Sequence, residues 1–164
     1  MPNTIEIVDN PLRKITFNSP QSSRFSRIVL QFFTIFFFTI PILSTIMTLF
    51  FLGEVSPGIV IFYMIFGLCG YYFLRLFLWN KHGKEIIYLE KNRVSYEADY
   101  KMFKANKVEI SDEELTIEIK PVISNNKLAI LKINTESQQI ETVVKAPIEK
   151  LEALQTEIKS VYNE

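Results

Sequence analysis

The chain has 164 residues, 18 Lys plus Arg against 18 Asp plus Glu, and 48% hydrophobic residues. That charge balance excludes a nucleic-acid binder that works through an overall basic surface. One cysteine, Cys69, excludes an intramolecular disulfide, and one histidine, His82, excludes a histidine-based zinc site.

Residues 1–27 are polar-rich but patterned. Thr4 to Val8 alternates, Asp9-Asn10-Pro11 carries turn chemistry, and Lys14 to Phe17 alternates again, which predicts a β-hairpin. Two strands alone are marginal in water. The hairpin is therefore expected to dock on a sheet supplied by the C-terminal part, with a mobile tail as the alternative. Pro20 follows, among Ser19, Gln21, Ser22, Ser23 and Ser26, as a polar link. This start does not read as a secretory signal, so the next segment is expected to be an uncleaved anchor.

Residues 28–52 carry no charge. Roughly 20 apolar residues suffice to cross about 30 Å of hydrocarbon, so this run is expected to tilt or bend, and Pro41 favours a kink. Residues 58–79 form a second apolar run, interrupted by Arg75 one turn from its end. A guanidinium there can snorkel to the head groups, and Tyr71, Tyr72 and Trp79 fit an interfacial belt. Gly53-Glu54-Val55-Ser56-Pro57 joins the two, so antiparallel neighbours are predicted. A helix buried in a soluble core would show a polar face, and neither run does. The stripe Thr34, Pro41, Thr45, Thr48 is expected to face Tyr63, Gly67, Gly70, Leu74, because small and hydroxyl residues allow close helix approach in lipid.

Arg13, Lys14, Arg24 and Arg27 precede the first run, and Lys81, His82 and Lys84 follow the second, while the turn holds only Glu54. The excess of positive charge at the outer ends predicts a multi-pass protein of the inner (cytoplasmic) membrane with both termini cytoplasmic.

Residues 80–164 hold 13 Lys and Arg against 15 Asp and Glu, a net of −2, so no nucleic acid is expected as partner. Lys81-His82-Gly83-Lys84 reads as a juxtamembrane break. Strands are predicted over 85–90, 93–98, 102–110, 115–120, 128–133 and 139–144. Lys91-Asn92, Asp112-Glu113-Glu114, Ser124-Asn125-Asn126 and Thr135 to Gln138 serve as turns. Pro121 suggests an edge or a bulge. From Pro147, suited to the first helical position, Ile148, Leu151, Leu154 or Gln155, Ile158 and Tyr162 follow helical spacing. The fold class is thus α+β: a transmembrane helical hairpin, then an antiparallel sheet or partial barrel closed by a C-terminal helix.

This plan, with the exit Leu78-Trp79-Asn80, resembles bacterial two-helix membrane proteins with a pleckstrin-homology-like (PH-like) domain, over roughly residues 58–164. Pro57-Gly58-Ile59-Val60 is also similar to the start of the second helix in the chloroplast photosystem I assembly factor family. The first resemblance implies a PH-like β-domain, and the second a role in assembling a membrane complex. Phosphoinositide-binding PH-like domains use a basic loop between their first strands, and Lys91-Asn92-Arg93 departs from that pattern.

No Gly-rich phosphate loop, nucleophile elbow or paired catalytic carboxylates is present in the sequence. No catalytic, cofactor-binding or metal residue is therefore named, and a non-enzyme is expected. Asp112-Glu113-Glu114 reads as a solvated turn rather than a cation site, and His82 as an interfacial residue rather than a pH sensor. Arg24, Arg27, Arg75, Lys81 and Lys84 are expected near anionic head groups, each contributing about 1 kcal/mol. The expected function is a non-catalytic interaction or assembly module, its partners membrane lipid and another membrane protein. The alternative is a small homo-oligomeric subunit of a transport system or channel.

Overall fold

The computed structural model describes residues 5–10, 12–53, 57–111, 115–123, 125–136 and 138–163. The chain divides into two compact units: Met1–Pro20 with His82–Glu164, and Gln21–Lys81. The fold is α+β, with two long apolar helices, antiparallel sheets and a C-terminal helix.

In the first unit, strands β1 (Ile5–Asn10) and β2 (Leu12–Asn18) form the N-terminal hairpin. β2 pairs antiparallel with β3 (Lys84–Glu90), with Ile15 opposite Ile87 and Phe17 opposite Glu85. The sheet continues through β4 (Arg93–Asp99) and β5 (Lys104–Ile110) in the order β1-β2-β3-β4-β5. The hairpin thus docks, and alternation explains why. Ile15 and Phe17 are fully buried and share a face with Ile87, Leu89, Val94 and Tyr96.

A second sheet, in the order β6-β7-β8, holds β6 (Thr116–Val122), β7 (Asn125–Asn134) and β8 (Gln139–Glu141). Short β9 (Ala146–Pro147) also pairs with β7. Pro121 lies on the edge strand β6, beside a register shift between Pro121 and Val122, where a missing donor costs least. Helix α3 (Ile148–Asn163) buries Leu151, Leu154, Ile158 and Tyr162 and packs on β3, β6 and β7. At the ambiguous position Leu154 is buried, while the Gln155 side chain donates to the Ile117 carbonyl at 2.7 Å. Arg13 of β2 pairs with Glu157 of α3.

Several boundaries differ from the sequence pattern: Asp9 and Asn10, expected in a turn, close β1, and Asn125 and Asn126, also expected in a turn, open β7, which starts at 125 rather than 128. β5 starts at Lys104 rather than 102, because residues 99–103 form a turn. There the Asp99 carboxylate accepts from Lys101 N at 2.7 Å, and Tyr100 N donates to Phe103 O at 3.0 Å. Lys101 takes φ 72°. β8 ends at Glu141: Thr142 N still donates to Leu131 O at 2.9 Å, but Leu131 N donates to the Thr142 hydroxyl instead of a backbone carbonyl, and Val143 N and Val144 N then serve a buried carboxylate described below. Pro147 ends β9 and the helix begins one residue later, at Ile148. The turns at 54–56, 112–114, 124 and 137, and Pro11, lie outside the described residues.

In the second unit, α1 spans Arg24–Leu52 and α2 spans Gly58–His82. Both exceed their apolar runs. α1 starts at Arg24 because Ser23 caps it, its hydroxyl accepting from Ser26 N at 3.2 Å. It stops at Gly53, whose φ of 69° suits a residue without a Cβ. α2 carries Lys81 and His82 in its last turn, so the break falls at Gly83.

The expected stripes meet at Thr45 and Tyr63, whereas Gly70 of the α2 stripe faces Phe38, which lies outside the expected α1 stripe. Thr45 Oγ1 donates to the Pro41 carbonyl at 2.8 Å, so Tyr63 must donate the 2.8 Å bond between its hydroxyl and Thr45 Oγ1. A Cβ added at Gly70 would lie 3.1 Å from the Phe38 ring, whereas one at Gly67 would meet nothing within 4 Å. Aromatic rings make further contacts between the helices: Phe73 stacks on Phe33 and Phe37, and Phe66 tilts against Phe37.

Candidate functional site

Helical spacing assembles a cationic cleft at one end of the α1/α2 unit. Arg24, Arg27, Ile28 and Gln31 stand at i, i+3, i+4 and i+7 on α1 and therefore share a face. Phe77 and Lys81, four apart on α2, complete the lining of a cleft of about 250 Å³. The Lys81 ammonium sits 5.4 Å from the centroid of the Phe77 ring, which orients it through the ring quadrupole.

The electrostatics are one-sided. The first turn of α1 contains no acidic residue, although its N-terminus already carries partial positive charge. Among the described residues no carboxylate pairs with Arg24, Arg27 or Lys81. Arg27 Nε is buried without a hydrogen-bond partner in the structure. Two guanidinium forks, one ammonium and one amide, with Ile28 and Phe77 beside them, can hold a compact anion bearing an apolar body.

Three of the five cations expected near head groups thus come together. Arg75 is not among the cleft residues; it stands about 9 Å along the axis from Lys81, at 1.5 Å per residue. Lys84 belongs to β3 in the other unit. His82 ends α2, and Asp112, Glu113 and Glu114 lie outside the described residues. Among the described residues no three His, Cys, Asp or Glu side chains are grouped to hold a metal ion.

The β unit holds two buried glutamates on opposite faces of one sheet. Glu85 lies on the core face and is fully buried. Its carboxylate accepts from Tyr96 Oη at 2.7 Å, Val143 N at 2.7 Å and Val144 N at 2.9 Å. Burial pushes its pKa above the ordinary range, and the three donors pull against that. Glu97, on the other face, accepts from Tyr88 Oη at 2.8 Å and Lys104 Nζ at 2.5 Å. Burial raises its pKa, but the bonds from Lys104 and Tyr88 and the charges of Lys104 and Lys14 outweigh it, so the net direction is down.

Sequence reasoning passed over Glu85. The available signal was its phase: it alternates with Ile87 and Leu89, not with Tyr88 and Glu90. It also missed the cleft, since Arg24 and Arg27 read as part of a linker until Ser23 is seen to cap a helix. No protein-family profile, curated protein or solved structure matches the chain.

Proposed function

We propose that the chain is a membrane-anchored, non-catalytic interaction or assembly module whose α1/α2 hairpin spans the cytoplasmic membrane and whose β unit is a PH-like domain in the cytoplasm. The observation that carries this reading is the insertion of the helical unit between two paired strands. β2 precedes α1, β3 follows α2, and the two are hydrogen-bonded neighbours. Ser19 N donates to Gly83 O at 3.0 Å, so both ends of the insert start from one point on the sheet domain. An insert anchored in this way leaves the sheet domain and returns to it, as a hairpin that crosses a bilayer and comes back would do.

The surface of the hairpin supports the same reading. Both helices are long and apolar enough to cross a membrane, yet only 11% and 6% of their most apolar windows are buried. Phe32, Ile35, Phe36, Ile42, Ile46, Val60, Met64 and Leu68 all point outward. A helix that serves as a soluble core is mostly covered, and uncovered apolar area of this extent marks a lipid or protein contact. The PH-like assignment draws on the order of the β elements: one meander, a second meander, then a closing helix. The Lys and Arg at the outer ends of the helices support a cytoplasmic sheet domain.

The test is purification in mild detergent followed by mass spectrometry of what remains bound. A distinct membrane protein recovered in stoichiometric amount is the expected result. A homo-oligomer with no other protein would favour a transport or channel subunit and reject the module.

A further inference from the structure

We infer that the cleft of Arg24, Arg27, Gln31, Phe77 and Lys81 is a binding site for the phosphate oxyanion of a membrane lipid, one headgroup per chain. The inference rests on the membrane reading above and deepens it, from general anchoring to a defined site.

Three features carry it. The cations are unbalanced: Arg24, Arg27 and Lys81 converge with the positive end of α1, without a carboxylate partner among the described residues. An anion resolves that repulsion, and a tetrahedral phosphate matches guanidinium forks by bidentate bonding.

The second feature is position. The charge-free run begins at Ile28, so the cleft sits where α1 passes from polar to wholly apolar sequence. A phosphate there would lie at headgroup level. The third is the shape of what adjoins it. Ile28 lines the cleft and is 65% exposed, and Phe25 and Phe32 beside it on α1 are also exposed. Lipid tails would cover these side chains, and a soluble anion would not. A lipid satisfies both halves of the site at once.

The test uses the full-length protein in nanodiscs of phosphatidylcholine containing a minor fraction of phosphatidic acid, with native mass spectrometry counting lipids retained per chain. Wild type should retain one phosphatidic acid with a preference of roughly tenfold or more over phosphatidylcholine, given three cations near one phosphate. The triple variant R24Q/R27Q/K81Q should lose that preference. The charge-matched variant K91Q/K107Q/K145Q, altered only at exposed lysines of the β unit, should keep it. Should the cleft triple variant fail to enter discs, R27Q alone is read in the same way.

No preference in wild type, or equal loss in both triple variants, overturns the site. So does retention of a bound acidic protein in place of lipid. Displacement of the lipid by added inorganic phosphate would move the ligand from bilayer to solution and reject the lipid assignment. A chain that enters pure phosphatidylcholine discs but ignores headgroup charge rejects this inference alone. A chain that stays dispersed in plain buffer and never enters discs rejects the membrane reading beneath it.

Discussion

Glu85 and Glu97 show how one residue type does opposite work on two faces of a sheet. Glu85 joins β3 to the segment after β8 through two backbone donors, closing one sheet against the other. Glu85→Ala leaves Val143 N–H, Val144 N–H and Tyr96 O–H without their acceptor. Val143 is 66% exposed, so water can replace its bond; the two buried donors, from Tyr96 and Val144, cost about 1–3 kcal/mol each when unsatisfied, so a loss of about 2 kcal/mol or more is expected in the strand circular-dichroism melt. The pH dependences run in opposite senses. Glu85 has a raised pKa, so folding favours its protonated form. Its contribution is full below the usual 4.5 and declines as pH rises through the folded value. Glu97 has a lowered pKa, so its contribution is present above 4.5 and declines as pH falls through the folded value. Glu85→Gln should therefore remove a loss of stability on going from pH 4.5 upward, and Glu97→Gln should remove one on going from pH 4.5 downward. Melting temperatures across that range check both signs, and identical profiles for the two variants would refute the assignment.

At the scale of elements, the two glycines of α2 make a controlled pair. Gly67 has open space where a Cβ would stand. Gly67→Ala should stabilise the hairpin by up to about 1 kcal/mol through helix propensity alone. A Cβ at Gly70 meets the Phe38 ring at 3.1 Å. That ring is partly exposed and can give by a few tenths of an ångström, so Gly70→Ala should be near neutral. Gly70→Leu has no such relief and should separate the helices. Denaturing-detergent titration of the hairpin, read by a donor–acceptor dye pair on α1 and α2, would rank the three. The two helices were legible because charge-free runs of this length are rare in sequence. Their facing stripe was legible only at Thr45/Tyr63 and Gly70, since most of the contact is phenylalanine and phenylalanine covers every side of α1. Strands with strict alternation, such as Thr116 to Lys120, stood out. The short β9 did not, because two residues carry no period, and β8 gives way first to the Thr142 hydroxyl and then to Glu85, a partner far away in sequence. Arg24 and Arg27 were visible as charges, but their convergence with Lys81 depends on both helices extending beyond their apolar runs.

At the scale of the whole molecule, the β unit is expected not to fold from residues 82–164 alone. Ile15 and Phe17 enter its core from the far side of the helical insert and are fully buried. Truncating a core Phe or Ile to Ala costs about 2–5 kcal/mol, comparable to the whole stability of many small domains. Phe17→Ala should therefore unfold the β unit or bring it close to unfolding. Deleting residues 1–19 should do so outright, whereas a free tail would leave the melt unchanged. The same pairing constrains the proposed membrane topology. A strand cannot remain hydrogen-bonded to a neighbour on the opposite side of a bilayer, because its backbone groups would have to lie unsatisfied in hydrocarbon. With the hairpin spanning a bilayer as proposed, residues before α1 and after α2 share one side, and the excess of Lys and Arg there predicts the cytoplasm. A cysteine placed at Pro57 should react with an impermeant maleimide added outside intact cells, and cysteines at Asn18 or Lys91 should react only after lysis, all on a Cys69→Ser background. Labelling of Asn18 and Lys91 from opposite sides would break the five-stranded sheet and, with it, the account of how the insert is held.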